Sequence, residues 1–368
     1  MADICSKTDN NISNKISIVS RAAVYDDENR VIWMITNASA CLISLDMQNN
    51  IISEVYPIPT TCKGEYAFLS LVMYEEKIYI APYNAKEFVI FDIKNKIFEV
   101  IDVSDNTSLR TDNKRFCSIF QYMGNMYLVG ANLHEVLKYD TKQKKFDCIY
   151  SDNDTGLFSL ANSILDSGVL YIPMAEKNII HAINLDNEKN SIISIGGKQN
   201  NEGITSLASI NGILYAGTCE GHLIVAANKN ISEVVISEGA YLYGLYVINE
   251  RIVCFDLFKA KLLITEGNRT VEKDIKFIWD DVYENKPKCS LVEMVVRYDD
   301  KILFQSRISG NVYCYDIERD MISSLDFHTS EECENKLLDS FIMRKSVVDE
   351  SRLFCLNDYL NHIWGKHE

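Results

Sequence analysis

Residues 70–103, SLVMYEEKIYIAPYNAKEFVIFDIKNKIFEVIDV, decide the fold. Four apolar stretches are separated by three turn signals. Positions 70–74 read as a strand, Glu75 and Glu76 as a hairpin turn, and 78–81 as a second strand rich in β-branched and aromatic residues. A polar break at 84–87 leads to a third strand at 88–91. Asp92 opens the next turn, and 97–103 form the fourth strand. An Asp recurs at this last turn as Asp46, Asp92, Asp140, Asp186 and Asp316. Its short carboxylate can accept a hydrogen bond from a backbone N–H two residues on, so the repeated acid reads as a turn residue and not as a catalytic one.

The core of this unit, an apolar residue, a charged or Gly turn and then two apolar residues, recurs along the chain. The instances are Tyr25-DDENRVI-Trp33, Tyr74-EEKI-Tyr79, Tyr122-MGNM-Tyr127, Leu165-DSGVL-Tyr171, Ile210-NGIL-Tyr215, Ile248-NERI-Val253, Tyr298-DDKIL-Phe304 and Val348-DESRL-Phe354. The closing residues are spaced 46, 48, 44, 44, 38, 51 and 50 apart. Self-similarity at that period, with four antiparallel strands per unit and no helical periodicity, predicts blades stacked around an axis: an all-β propeller. A lone four-stranded sheet leaves both faces in water, so the array must close.

Eight markers predict an eight-bladed β-propeller in a single domain spanning 1–368. Its blades fall at about 20–57, 69–103, 117–151, 162–196, 205–237, 243–278 and 293–328, with blade eight at about 342–364 completed by 15–19. In that reading the N- and C-terminal strands share a blade and so fasten the ring. Seven blades plus a terminal appendage is the alternative.

The bulk composition narrows the function classes. Hydrophobic content is 47% and net charge −15, which allows a large core and disfavours nucleic acid as a partner. No run approaches the length needed to span a bilayer, and the polar N-terminus lacks a secretory signal, so neither a membrane nor export is expected. Eleven cysteines scattered without a C-x-x-C pair read as reduced thiols of a cytoplasmic protein. The Asn-, Lys- and Ile-rich composition points to an AT-rich bacterial genome.

The third-strand phrases Leu137-KYDTKQKKF-Asp147 and Val89-IFDIKNKIF-Glu99 resemble kelch repeats. The kelch double glycine after the second strand is missing. The resemblance implies the propeller fold and carries no function.

Counting back from the end of each inner strand gives axial positions Arg21, Ser70, Ser118, Ala161, Ser206, Gly244, Met294 and Arg344. Arg307 follows the second strand of blade seven, and Lys345 adjoins Arg344. In a closed ring these cations share one sector, which suits an anionic ligand because guanidinium forks match carboxylate and phosphate. Glu293 and Tyr243, just before inner strands, complete the candidate ligand-binding set. Salt bridging to loop acids such as Glu293, Glu65 or Glu334 is the plainer alternative. Tyr66, Phe68, Phe116, Phe158 and Tyr241 are further aromatics of the mouth. Three histidines on successive blades, His134, His181 and His222, lack the spacing of a metal motif, and no metal or cofactor is expected. The sequence therefore predicts a binding module for a protein, a peptide or a small anionic ligand. The alternative is an enzyme of lyase, mutarotase or epimerase type with an Arg-anchored site.

Overall fold

The computed structural model describes residues 18–103, 116–131, 135–151, 163–174, 178–195, 203–227, 230–267, 269–275, 292–307 and 310–345. Seven four-stranded antiparallel sheets follow one another, covering 20–57, 68–102, 116–151, 164–194, 204–235, 242–274 and 292–325. In each, the strands pair in chain order. The first strands of neighbouring blades meet, including Ser20–Asp26 of blade one with Val292–Tyr298 of blade seven, so they line an axis and the ring is closed. The second and third strands are almost wholly buried, whereas the fourth, such as Asn230–Val235 of blade five, faces water.

The marker aromatics fill the spaces between blades. Tyr79 and Phe88 of blade two share one cluster with Leu128, Tyr139 and Phe146 of blade three. The Phe88 ring lies 5.0 Å from that of Tyr139 and 5.4 Å from that of Phe146. Burying one such ring contributes about 2–3 kcal/mol. Small axial residues serve a second purpose. Ser70 Oγ accepts from the Ile119 amide (3.1 Å), and Ser206 Oγ donates to Leu242 O (3.3 Å), so hydroxyls stitch adjacent inner strands. A Cβ on Gly244 would lie 3.2 Å from Val295 Cγ2, which shows how closely blades six and seven approach there.

The Asp turns are built as turns. Asp46 Oδ1 accepts from the amides of Gln48 (2.8 Å) and Asn49 (3.0 Å), and Asp92 and Asp140 do the same in their blades. In blade four the role belongs to Asn184, which accepts from the Asp186 and Asn187 amides. Asp186 instead accepts from the Tyr122 hydroxyl of blade three.

The eight-blade expectation is corrected to seven. The segment expected to begin an eighth inner strand is α1, a helix over Glu331–Lys345. Ser330 caps it, its hydroxyl accepting from the Cys333 amide (3.3 Å), and Glu331, Glu332 and Glu334 in the first turn favour the positive end of the helix dipole. Cys333, Leu337 and Ser340, at i, i+4 and i+7, form its buried stripe. Residues 346–364 and 15–17 of the expected eighth blade lie outside the described residues.

No shared blade is seen among the described residues. Instead, the segment after blade seven crosses to the outer edge of blade one. His328–Thr329 adds a fifth strand, parallel to Ile51–Pro57, and the His328 amide donates to Asn50 O (2.9 Å). Cys333 and Leu337 then enter a core cluster built from blades one and seven, and Ser340 Oγ donates to Ser39 O (2.7 Å). At the inner end of the same seam stands Gln305. Its Oε1 accepts from the Ser20 amide (2.9 Å), and its Nε2 donates to Ile18 O and to Gly310 O.

A buried carboxylate holds the loop that leads from blade one to blade two. Glu87 accepts from Thr60 Oγ1 (2.8 Å), Thr61 Oγ1 (2.6 Å) and the amides of Thr61 (3.0 Å) and Lys86 (3.2 Å). Burial pushes its pKa up, but these donors outweigh burial and the net shift is downward. A lowered folded pKa gives stability that is complete above the unfolded value of about 4.5 and lost as pH falls toward the folded value. Glu87→Gln is therefore expected to cost about 2 kcal/mol near neutral pH and to flatten the acid limb of the unfolding profile. Thermal midpoints of both proteins across that range check this, and parallel curves would refute it.

Candidate functional site

At the rim of the axis the inner strands share a defect. Ser20 pairs with Thr36 and Ala22 with Ile35, so Arg21 is an extra residue in its strand. Leu69, Cys117 and Thr205 are extra at the same place in blades two, three and five, and Glu293 and Met294 together face Gln305 in blade seven. Such β-bulges bend the strand and re-aim the side chain. They turn Arg21 and Glu293, 272 residues apart in sequence, toward one mouth.

Asn37 joins the pieces. The Arg21 amide, freed from its ladder by the bulge, donates to Asn37 Oδ1 (3.2 Å), and Asn37 Nδ2 donates to Glu293 Oε1 (3.4 Å). The Asn37 amide donates to Val19 O (2.7 Å), and Asn37 O accepts from the Tyr66 amide (3.1 Å). One buried residue, through its side chain and its backbone, thus ties together blade one, blade seven and the loop before blade two.

Around this hub stand two cations, two acids and three tyrosines. Arg307 Nε lies 3.6 Å from Glu293 Oε2, a partly buried ion pair. Tyr243 of blade six donates to Glu293 O (3.4 Å) and lies beside Arg21. Burial is the largest single influence on Arg21 and works against its charge. Tyr243, Glu293, Tyr83 and Tyr66 together outweigh it, and its pKa is raised above the ordinary arginine value. Burial raises the Tyr66, Tyr83 and Tyr243 hydroxyls, so all three stay protonated donors near neutral pH. The Tyr83 hydroxyl has no hydrogen-bond partner among the described residues. Burial pushes the Cys117 thiol up to about 11, with Arg21 pulling it partly back. Glu65 is desolvated as well, and its pKa is raised by burial first and by Glu293, against the pull of Arg307.

The structure therefore brings Arg21, Arg307, Glu293 and Tyr243 together. It does not bring Arg344 or Lys345 to the axis on an inner strand: both occupy the last turn of α1. Ala161 and Phe158 lie outside the described residues. Phe68, Phe116 and Tyr241 pack into core clusters; Tyr66, though buried as well, and Tyr243 are the aromatics of that group that lie beside Arg21. Asn37 and Tyr83 were not singled out from the sequence. Their one signal is position, directly after the second strands of blades one and two, next to Thr36 and Pro82. His134 lies outside the described residues, His181 packs against Tyr150, and His222 pairs with Glu233. Among the described residues no His, Cys, Asp or Glu cluster could hold a metal ion.

No family model matches the chain, and no curated protein matches it. Solved structures do. BamB from Moraxella catarrhalis superposes with a TM-score of 0.55 at 13% identity, over 80% of this chain and 84% of that one. YCF48 bound to D1 peptide gives 0.59 at 11% identity, over 82% and 93%. The RRP9 WD40 repeats give 0.56 at 8% identity, over 78% and 87%. At these identities the likeness is one of fold, and the fold it establishes is the β-propeller.

Proposed function

We propose that this propeller is a cytoplasmic binding module whose mouth captures the carboxylate of a protein or peptide ligand on Arg21. One observation carries the reading. Arg307 is neutralised by Glu293, whereas Arg21, a half-buried residue at the mouth, has no carboxylate within ion-pair distance among the described residues. An arginine left without a counter-ion beside protonated tyrosines is a ready receptor for an anion with two oxygens. The YCF48 structure is of a propeller with a peptide bound, which supports a peptide ligand by analogy. All eight described cysteines are free, and Cys148 is exposed, which suits a reducing compartment. No described helix is long and apolar enough to cross a membrane. The third-strand phrase supports a kelch-type relationship within the propellers.

The test is a random tripeptide pool offered with free or amidated C-termini. Arg21→Ala is expected to weaken capture of the free acids by about 10- to 100-fold and to leave the thermal midpoint almost unchanged. Equal capture by wild type and variant would place the site elsewhere. One observation favours the enzyme reading: the desolvated Glu65 carboxyl, with its raised pKa, is suited to acid–base work. A metabolite turnover screen in which Glu65→Gln changes nothing would dismiss it.

A further inference from the structure

We infer that the mouth is built for a zwitterion, a ligand carrying a carboxylate and a cationic nitrogen a few atoms apart. This rests on the reading of Arg21 as the anion anchor and adds a second pole to it. Glu65 lies on the loop between blades one and two, and that loop is pinned on both sides. Asn84 Nδ2 donates to Glu65 O (2.9 Å), and the next amide, that of Tyr66, donates to Asn37 O (3.1 Å). Tyr66 itself takes a left-handed backbone (φ 53°), so the chain turns sharply there. The loop holds Glu65 beside the Arg307–Glu293 pair.

Among the described residues the charges of the mouth balance in number but not in pairing. Arg21 and Arg307 stand with Glu65 and Glu293, two against two. Arg307 and Glu293 satisfy each other at 3.6 Å. Arg21 and Glu65 remain, and neither lies within ion-pair distance of an opposite charge among the described residues. They are not paired with each other, and the buried Tyr66 feels both. Both residues are half-buried and neither is sealed in the core. Desolvation of the Glu65 carboxyl is costly while it stays alone, and that cost is relieved when a cation docks against it. A simple anion satisfies Arg21 and leaves Glu65 stranded near a second negative charge. A dianion such as phosphate fits worse still. A molecule with opposite charges at its two ends relieves both residues. Two sources share this chemistry: a free amino acid or short peptide with both termini open, and a protein C-terminus ending in a basic residue.

Calorimetric titration with four probes tests this. Alanyl-alanine represents the first source and N-acetyl-alanyl-lysine the second. N-acetyl-alanyl-alanine keeps only the carboxylate, and alanyl-alanine amide only the amine. At least one zwitterionic probe is expected to bind about tenfold tighter than N-acetyl-alanyl-alanine. Glu65→Gln is expected to reduce that preference to less than about twofold while N-acetyl-alanyl-alanine binds no more weakly than before. If N-acetyl-alanyl-alanine binds as tightly as both zwitterions, or Glu65→Gln leaves the preference intact, the zwitterion inference falls and the carboxylate reading stands. If the amide binds as well as the acids, or no probe binds at all, both fall.

Discussion

Replacing Gln305 with leucine is expected to cost about 3–5 kcal/mol of stability, because one buried and two partly buried backbone groups lose a side-chain partner. Gln305 is 1% exposed. Its amide receives the Ser20 N–H and supplies hydrogens to Ile18 O and Gly310 O, so it bonds the end of blade seven to the start of blade one. Leucine matches the volume of glutamine, so no cavity forms and the loss reports the hydrogen bonds. Given an unfolding entropy of about 2.1 cal/mol/K per residue, this lowers the thermal midpoint by roughly 4–6 °C. A second consequence separates Gln305 from an ordinary core residue. Ser20 precedes Arg21, so loosening the seam loosens the bulge that aims the guanidinium, and ligand affinity is expected to fall together with stability. A loss of under about 1 kcal/mol would show that the seam is held elsewhere, by the Tyr25–Tyr298 ring contact or the tail helix.

Gly221→Ala is expected to be about as damaging, by about 3–5 kcal/mol, for a different reason. Gly221 has φ +86°, and a Cβ there would lie 1.7 Å from Ser237 O and 2.7 Å from its carbon. Those are backbone atoms, and the Ile236 and Ser237 amides both donate to Gly221 O, so the strand end cannot move aside without losing these bonds. Gly212→Ala is the internal control. Gly212 also has a positive φ (+75°) but nothing lies within 4 Å of its Cβ position, so only the backbone penalty of about 1 kcal/mol applies. Equal midpoints for the two variants would contradict the close approach at Gly221.

Much of the scaffold was legible in the sequence because its causes are local. Each hairpin carries its own turn residues and each strand its own apolar pattern, and the 38- to 51-residue spacing counts most of the blades correctly. The eighth marker, Val348-DESRL-Phe354, satisfied the same local phrase, and the period alone offered no means of rejecting it. The contrary signal stood just upstream: Ser330 before an acidic turn, then Cys333, Leu337 and Phe341 at helical spacing. A strand-period reading passes over it. The error carried Arg344 and Lys345 with it, since both were placed by counting within a blade that α1 replaces.

Ring closure paired Arg21 first with Arg344, and that pairing is lost with the eighth blade; with seven blades the same closure makes blade seven the neighbour of blade one and brings Arg307 and Glu293 to Arg21. Closing the ring makes the first and last blades neighbours whatever their number. Asn37 and Tyr83 were not legible, because their roles depend on the bulge at Arg21 and on the approach of blade seven. Neither is visible from local pattern.

Amide hydrogen exchange across the seam tests the closure most directly, since the mouth exists only if the two ends of the described chain meet on blade one. The Ser20, Asn37 and His328 amides, bonded to Gln305, Val19 and Asn50, are expected to exchange as slowly as the second strands of the blades. Exchange of these amides at the rate of an unfolded peptide, in a protein whose other blades stay protected, would mean an open array and no shared site for Arg21 and Glu293.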